Sequence, residues 1–257
     1  MLRIGIAGAN GHLGSHLVSS IEKYTPHQVI PIERGEKPSM DLDAVFIAVR
    51  PQDLDSMLNA WDDSDIMLIS FVAGVPISYF ESKGFPNVIR SMCNLDLHSI
   101  AYYPPTPRVA QDYLSFASHC FGVDEEDELN VLTSVVGSGL AYTISLMEQM
   151  SNYLTSNTTM PAEWCESIIL ELFQSASNFA TNSRQQGLAF GDMIASIASK
   201  GGTTEAGLEA MPSFGDMIAS IASKGGTTEA GLEAMPSLEQ VLHLATTKSR
   251  ELGTRME

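Results

Sequence analysis

The chain has 257 residues, enough to bury a substantial core in one large domain or two modest ones. It carries 14 lysines and arginines against 31 aspartates and glutamates, a formal net charge of −17, and 44% of its residues are hydrophobic. A globular chain this acidic, with no basic stripe to neutralise phosphates, excludes nucleic acid and anionic membrane surfaces as expected partners.

The run Leu2–Ala7 (LRIGIA) predicts a strand that ends in Gly8-Ala-Asn10-Gly11-His12-Leu13-Gly14. Ser15–Tyr24 then reads as a helix and Gln28–Ile32 as a second strand. Strand, glycine loop, helix and strand within about 30 residues is the setting in which a glycine turn lets a pyrophosphate sit on a helix N-terminus. The spacing here is G-x-x-G-x-x-G, looser than the dinucleotide fingerprint and also compatible with a tight strand-to-helix turn. Glu33 and Arg34 follow the second strand. An acid there suits a ribose 2′-hydroxyl and an arginine a 2′-phosphate, so NADP is favoured and NAD stays open.

Ala44–Val49, Ile66–Val72 and Asn87–Arg90 read as further strands, with helices at Asp53–Ala60 and Ile77–Lys83, an alternation that implies a parallel α/β sheet. Ser99–Tyr103 adds an edge strand closed by prolines. Tyr79-x-x-x-Lys83 mimics the Tyr/Lys pair of short-chain dehydrogenases, but it comes too early in the chain to serve that role.

Beyond Pro107 strand signals nearly vanish, and helices are expected at Val109–Cys120, Glu125–Val136, Ala141–Leu154, Pro161–Arg184 and Leu238–Leu252. Gly137-Ser138-Gly139 separates the second of these from the third. The sequence thus divides into a nucleotide-binding α/β domain, residues 1–136, and an all-α domain, residues 137–257. Long, rather apolar helices in a small domain complete their core against a second subunit, so a homodimer or higher homo-oligomer is expected.

Phe190–Ser213 is followed at once by an identical copy, Phe214–Ser237, which reads as a recent or artificial duplication. Each copy holds an apolar run with helical spacing, then Ser-Lys-Gly-Gly and Thr-Thr-Glu at the start of another helix. Unpartnered amides beside Gly201-Gly202 or Gly225-Gly226 could receive an anion, and a threonine hydroxyl could donate to a bound substrate. The plainer reading is a helix–turn–helix with a glycine cap.

Cys93, Cys120 and Cys165 are odd in number and lack CxxC spacing, and the six histidines lack ligand spacing. A reducing compartment and no metal site follow. No apolar run approaches about 18 residues, and the start of the chain lacks a charged leader with an apolar core. No membrane span is expected, and a cytoplasmic location is.

Several separated motifs, in order, resemble the pyrroline-5-carboxylate reductase family. DAVFIAVRPQDL (Asp43–Leu54) is similar to its strand ending in Ala-Val-Lys-Pro, with Arg50 for lysine; LISFVAGV (Leu68–Val75) and VIRSMCN (Val88–Asn94) resemble its Ser-x-x-Ala-Gly and Arg-x-Met-Pro-Asn segments. VVGSGLAY resembles Gly-Ser-Gly-Pro-Ala-Tyr, ASKGGTTEAGLEAM resembles Ser-Pro-Gly-Gly-Thr-Thr and its helix, and ATTKSRELG resembles the closing helix.

The resemblance implies a Rossmann-type domain followed by an all-α dimerisation domain, and hydride transfer from NAD(P)H to a cyclic imine to give proline. It places Gly8, Asn10, Gly11, His12, Leu13, Gly14, Arg34, Ala48, Val49, Arg50 and Pro51 on the cofactor, with Met92 and Asn94 near the nicotinamide. It places Gly201, Gly202, Thr203 or their copies Gly225, Gly226, Thr227 on the substrate carboxylate, and Thr204 or Thr228 on the imine nitrogen. The sequence departs from the pattern at Cys93–Asp96, at Leu140 and at Lys200 and Lys224, each where the family has proline or threonine. Those departures keep open a different imine or ketone substrate, or a degenerate nucleotide-binding dimer with a regulatory role.

Overall fold

Nearly unbroken apolar strands are what a sheet covered on both faces requires, and the chain builds one. A computed structural model describes residues 1–62 and 65–200, together with 204 and 208. The first part of the chain is a seven-stranded sheet: β1 (Arg3–Ala7), β2 (Gln28–Ile32), β3 (Ala44–Ile47), β4 (Met67–Ser70), β5 (Val88–Cys93), β6 (Ser99–Tyr103) and β7 (His119–Gly122). The spatial order is β2-β1-β3-β4-β5-β6-β7. All neighbours pair in parallel except β5 and β6, which are antiparallel with Arg90 opposite Tyr103.

Successive strand residues point to opposite faces, and each face has its own core. Phe46 and Ile69 join Ile4, Ile6, Leu17 and Ile21 on the face covered by α1 (His12–Tyr24). Val45, Ile47 and Leu68 join Leu54, Leu58, Trp61, Phe80 and Phe85 on the face covered by α2 (Pro51–Leu58) and α3 (Ile77–Ser82). Because β1 connects to β2 on one side and pairs with β3 on the other, the strand order reverses at β1/β3. That opens a crevice at the carboxyl ends of those two strands.

Four expectations change. The segment Val109–Cys120 is not one helix: α4 stops at Asp112 (Pro107–Asp112), and β7 follows, paired in parallel to β6. Leu114 and Phe116 turn into the first core, so tertiary burial and strand pairing override local helical preference. Ser99–Tyr103 is consequently an inner strand, not an edge.

Nor do Gly137–Gly139 break the helix. After α5 (Glu128–Leu132), Thr133–Gly137 form a π-helical turn in which the Ser138 amide donates to the Thr133 carbonyl at 3.0 Å, and α6 (Gly139–Asn157) continues. A π turn absorbs an extra residue without ending the helix.

The whole run Glu128–Asn157 is 30 residues long and contains an 18-residue stretch of mean hydropathy 1.4, only 17% buried. By length and composition it could cross a membrane, contrary to the expectation from unbroken apolar runs. Its apolar residues are interspersed with serine, threonine and glycine, which hides the average from such a reading.

The chain divides into two compact units, the first running from Met1 through Leu140 and the second beginning at Ala141. In the second, α7 (Ala162–Gln185) and α8 (Phe190–Ile197) bury Cys165, Ile169 and Met193. At 100° per residue, Trp164, Ile168, Leu172 and Phe179 share one stripe of α7, and all four are exposed.

Candidate cofactor site

The crevice at the strand reversal is a cavity of about 970 Å³. Gly8 turns the chain out of β1 with φ +87°, and a Cβ there would lie 2.7 Å from the Ala48 carbonyl oxygen at the end of β3. Gly14 is tighter still: a Cβ would lie 2.0 Å from the Gly8 carbonyl oxygen, so α1 approaches the turn only because no side chain intervenes. The Gly11 amide closes the turn on the Gly8 oxygen at 2.8 Å. No side chain caps α1 and no acid sits in its first turn, so the positive end of its dipole is left uncompensated at the cavity.

Of the residues expected on the cofactor, Gly8, Asn10, Gly11, His12 and Leu13 line this cavity from the turn, Arg34 from the end of β2, and Ala48, Val49, Arg50 and Pro51 from the end of β3. Gly14 supports the turn from behind. Met92 does not reach the cavity; it is buried against Ala101 and Leu129. Asn94 is not in the lining either, but its neighbour Leu95 is. The Asn94 side-chain oxygen is buried without a hydrogen-bond partner, an orphaned acceptor of the kind a ligand amide or hydroxyl would satisfy.

Glu36, Asp53, Ser56, Met57, Ala60 and Trp61 also line the cavity and were not singled out from sequence. The first-turn acid of α2, Asp53, had one readable signal, its i,i+3 spacing from Arg50. The Trp61 indole nitrogen donates to the Glu36 carbonyl at 2.9 Å, fixing the far wall.

Thr204 is helical and exposed. Gly201, Gly202, Thr203, Gly225, Gly226, Thr227 and Thr228 lie outside the described residues, as does the expected helix Leu238–Leu252. Among the described residues no cluster of three or more histidine, cysteine or acidic side chains could hold a metal ion.

Two other reactive-looking groups are quiet. The Tyr79 hydroxyl donates to Asp55 at 2.8 Å, and Lys83 Nζ donates to the same oxygen at 2.6 Å. Burial, then that carboxylate, pushes the Tyr79 phenol up to about 12, the wrong direction for a proton-relay tyrosine. Burial, then nearby Asp96, pushes the Cys93 thiol up to about 12, which leaves it protonated and unreactive.

The sheet order and the glycine turn at its switch point define the dinucleotide-binding Rossmann class, here followed by helices. A family model for the pyrroline-5-carboxylate reductase dimerisation domain matches residues 126–216. The chain is 29% identical over 185 residues to a pyrroline-5-carboxylate reductase of Staphylococcus saprophyticus, covering 66% of each chain, and 29% identical over 193 residues to that of Staphylococcus haemolyticus, covering 68% and 69%. It thus spans about two thirds of the length of these relatives.

Among solved structures, the pyrroline carboxylate reductase of Plasmodium falciparum with NADP bound has a TM-score of 0.75 at 18% identity, covering 98% of both chains. The reductase of Streptococcus pyogenes has 0.72 at 22%, covering 97% and 98%. Residues 126–216 thus match the pyrroline-5-carboxylate reductase dimerisation domain, and the chain is similar to pyrroline-5-carboxylate reductases over about two thirds of its length.

Proposed function

We propose that this chain is an NAD(P)H-dependent reductase of a small cyclic imine carboxylate, converting pyrroline-5-carboxylate to proline. The observation that carries the reading is the cavity at the β1/β3 reversal, floored by a glycine turn that tolerates no side chain at Gly8 or Gly14. Residues Gly8–Leu13 and Ala48–Pro51 would hold the dinucleotide, the diphosphate against the N-terminus of α1. The orphaned Asn94 oxygen supports a polar contact near Leu95. When bound, the reduced nicotinamide supplies a hydride to the imine carbon.

The protein's remaining tasks are orientation and one proton. The Gly201-Gly202 amides, or their copies Gly225-Gly226, would hold the substrate carboxylate, which fixes the imine plane. The hydroxyl of Thr204 or Thr228 would donate to the imine nitrogen as it gains amine character. A single site takes one such loop. On this reading Thr204→Ala or Thr228→Ala abolishes turnover and the other variant leaves it intact; equal partial losses from both would sink the one-loop arrangement.

The chain works as a homo-oligomer, and we take its form to be a dimer. Support comes from the exposed stripe Trp164, Ile168, Leu172 and Phe179 on α7 and the apolar run Glu128–Asn157, both within the span matched by the dimerisation model. A second subunit covering these faces also accounts for the run's hydropathy without a bilayer.

The deciding measurement is the initial rate of NADPH oxidation by purified full-length protein with pyrroline-5-carboxylate. A robust substrate-dependent rate is expected. No rate from folded protein that binds NADPH would overturn the substrate and favour the altered Cys93–Asp96 segment as the cause.

A further inference from the structure

Part of the cavity lining comes from the residues after β2 and from the first turn of α2. Two arginines stand there, and both are already engaged by one carboxylate. Arg34 Nη2 donates to Asp53 Oδ1 at 3.0 Å, and Arg50 Nε donates to Asp53 Oδ2 at 2.9 Å. The Asp53 side chain is 25% exposed, against 86% for Arg34 and 72% for Arg50. The acid is therefore the fixed member of the trio and the arginines are drawn down onto it.

Two further carboxylates complete the rim. The Glu36 side chain accepts from the Glu33 amide at 3.0 Å, and Glu33 Oε1 faces Asn10 Nδ2 at 3.5 Å. The local sum is two guanidinium groups against three carboxylates (Glu33, Glu36, Asp53), a net charge of −1.

We propose that Asp53 is a specificity-determining residue: by occupying both Arg34 and Arg50 it weakens binding of a 2′-phosphate and lets the site take NADH alongside NADPH. The assignment rests on the reductase reading above and refines its cofactor. A phosphate dianion entering this rim has to displace Asp53 from two guanidinium groups and then stand beside it. A ribose 2′-hydroxyl has no such competition, and Glu33, placed just beyond β2, offers it an acceptor.

The test is binding of NADPH and NADH to the full chain, followed by quenching of tryptophan fluorescence, with 2′,5′-ADP and ADP as probes that need no turnover. Asp53→Asn keeps the side-chain size and removes the negative charge that engages both arginines. It is expected to tighten NADPH and 2′,5′-ADP about tenfold and leave NADH and ADP within about twofold. In the unaltered background Arg34→Gln is expected to weaken NADPH by less than about threefold, because that arginine is already taken.

An unchanged NADPH-to-NADH ratio in Asp53→Asn, or weaker NADPH binding, would overturn the assignment. So would a loss beyond about tenfold in Arg34→Gln, a readout that stands even if Asp53→Asn does not fold. Failure of the unaltered protein to bind either dinucleotide would remove the reductase reading itself, and is thereby distinct from an unshifted ratio.

Discussion

In the sheet unit Phe46, Ile47, Leu68 and Ile69 are fully enclosed by their own chain, whereas on α7 Trp164, Ile168, Leu172 and Phe179 stay between 43% and 64% exposed. Both regions are rich in large apolar side chains. What differs is the partner. Parallel strands carry their covering helices in the same stretch of sequence, one crossover at a time. The later helices offer apolar stripes on more sides than one chain covers, the pattern of an obligate interface, which resembles a core cut in half. Stability of the first unit is therefore a property of one chain, and completion of the second is a property of concentration.

The largest expected effect breaks the enclosed side. Phe46 touches Phe71 and Phe116 at ring-centroid distances of 5.8 and 6.2 Å. Phe46→Ala leaves a cavity among them and should cost about 3–5 kcal/mol in urea denaturation. The loss should not depend on protein concentration. A concentration-dependent loss would mean that this core, too, is completed by a second chain.

The matching experiment on the open side is Ile168→Asp combined with Leu172→Asp. Both side chains face solvent in the single chain, so the cost within one chain should stay within about 0.5 kcal/mol. Two carboxylates buried at a subunit interface are far costlier, and association should weaken at least about 100-fold in sedimentation velocity. An undisturbed oligomer would show that this stripe of α7 is not the interface.

A pH titration sharpens the same contrast. The Cys93 thiol, ordinarily near 9.0, and the Tyr79 phenol, ordinarily near 10.0, are each raised to about 12, mainly by burial in the sheet unit. Above pH 9 the unfolded chain gives up these protons while the folded chain keeps them, so the unfolded state binds fewer protons and stability falls with rising pH. The contribution is complete below pH 9 and lost on the way to 12. Urea midpoints should decline across that window, and Cys93→Ala should flatten the part that begins at 9. A decline that starts unchanged in Cys93→Ala would show that the thiol is not its source.

The parts of this molecule legible in sequence are those whose partners are local. The path β1–Gly8–Gly14–α1–β2 closes on itself within 30 residues, and the ends of β3 and β4 announce themselves as continuous apolar runs. β7 was illegible because it is four residues, His119–Gly122, with mostly exposed side chains, and exists only through its ladder with β6. The π turn at Thr133–Gly137 was read as a break because glycine is a helix stop unless the carbonyls behind it find amides five residues on. In the site, Arg34 and Arg50 were visible as candidate cations. Their shared tie to Asp53 was not, because Arg34 and Asp53 are 19 residues apart and meet only across the sheet edge.

The smallest effect concerns a pattern that sequence and structure read alike. Tyr79 and Lys83 lie one helical turn apart, as a Tyr/Lys catalytic pair would, yet neither lines the cavity. Their shared acceptor is Asp55 on α2, whose carboxyl is held below its ordinary value by the hydrogen bonds from Lys83 and then Tyr79. The Tyr79 ring is 5% exposed and belongs to the core under α2 and α3, so the pair fastens two helices to each other. Tyr79→Phe keeps the ring and removes one hydrogen bond, at an expected cost of about 1 kcal/mol, with kcat/KM for imine reduction unchanged within about twofold. A drop in kcat/KM of about 100-fold or more, with stability intact, would return the tyrosine to the chemistry and require a second active surface on the sheet unit.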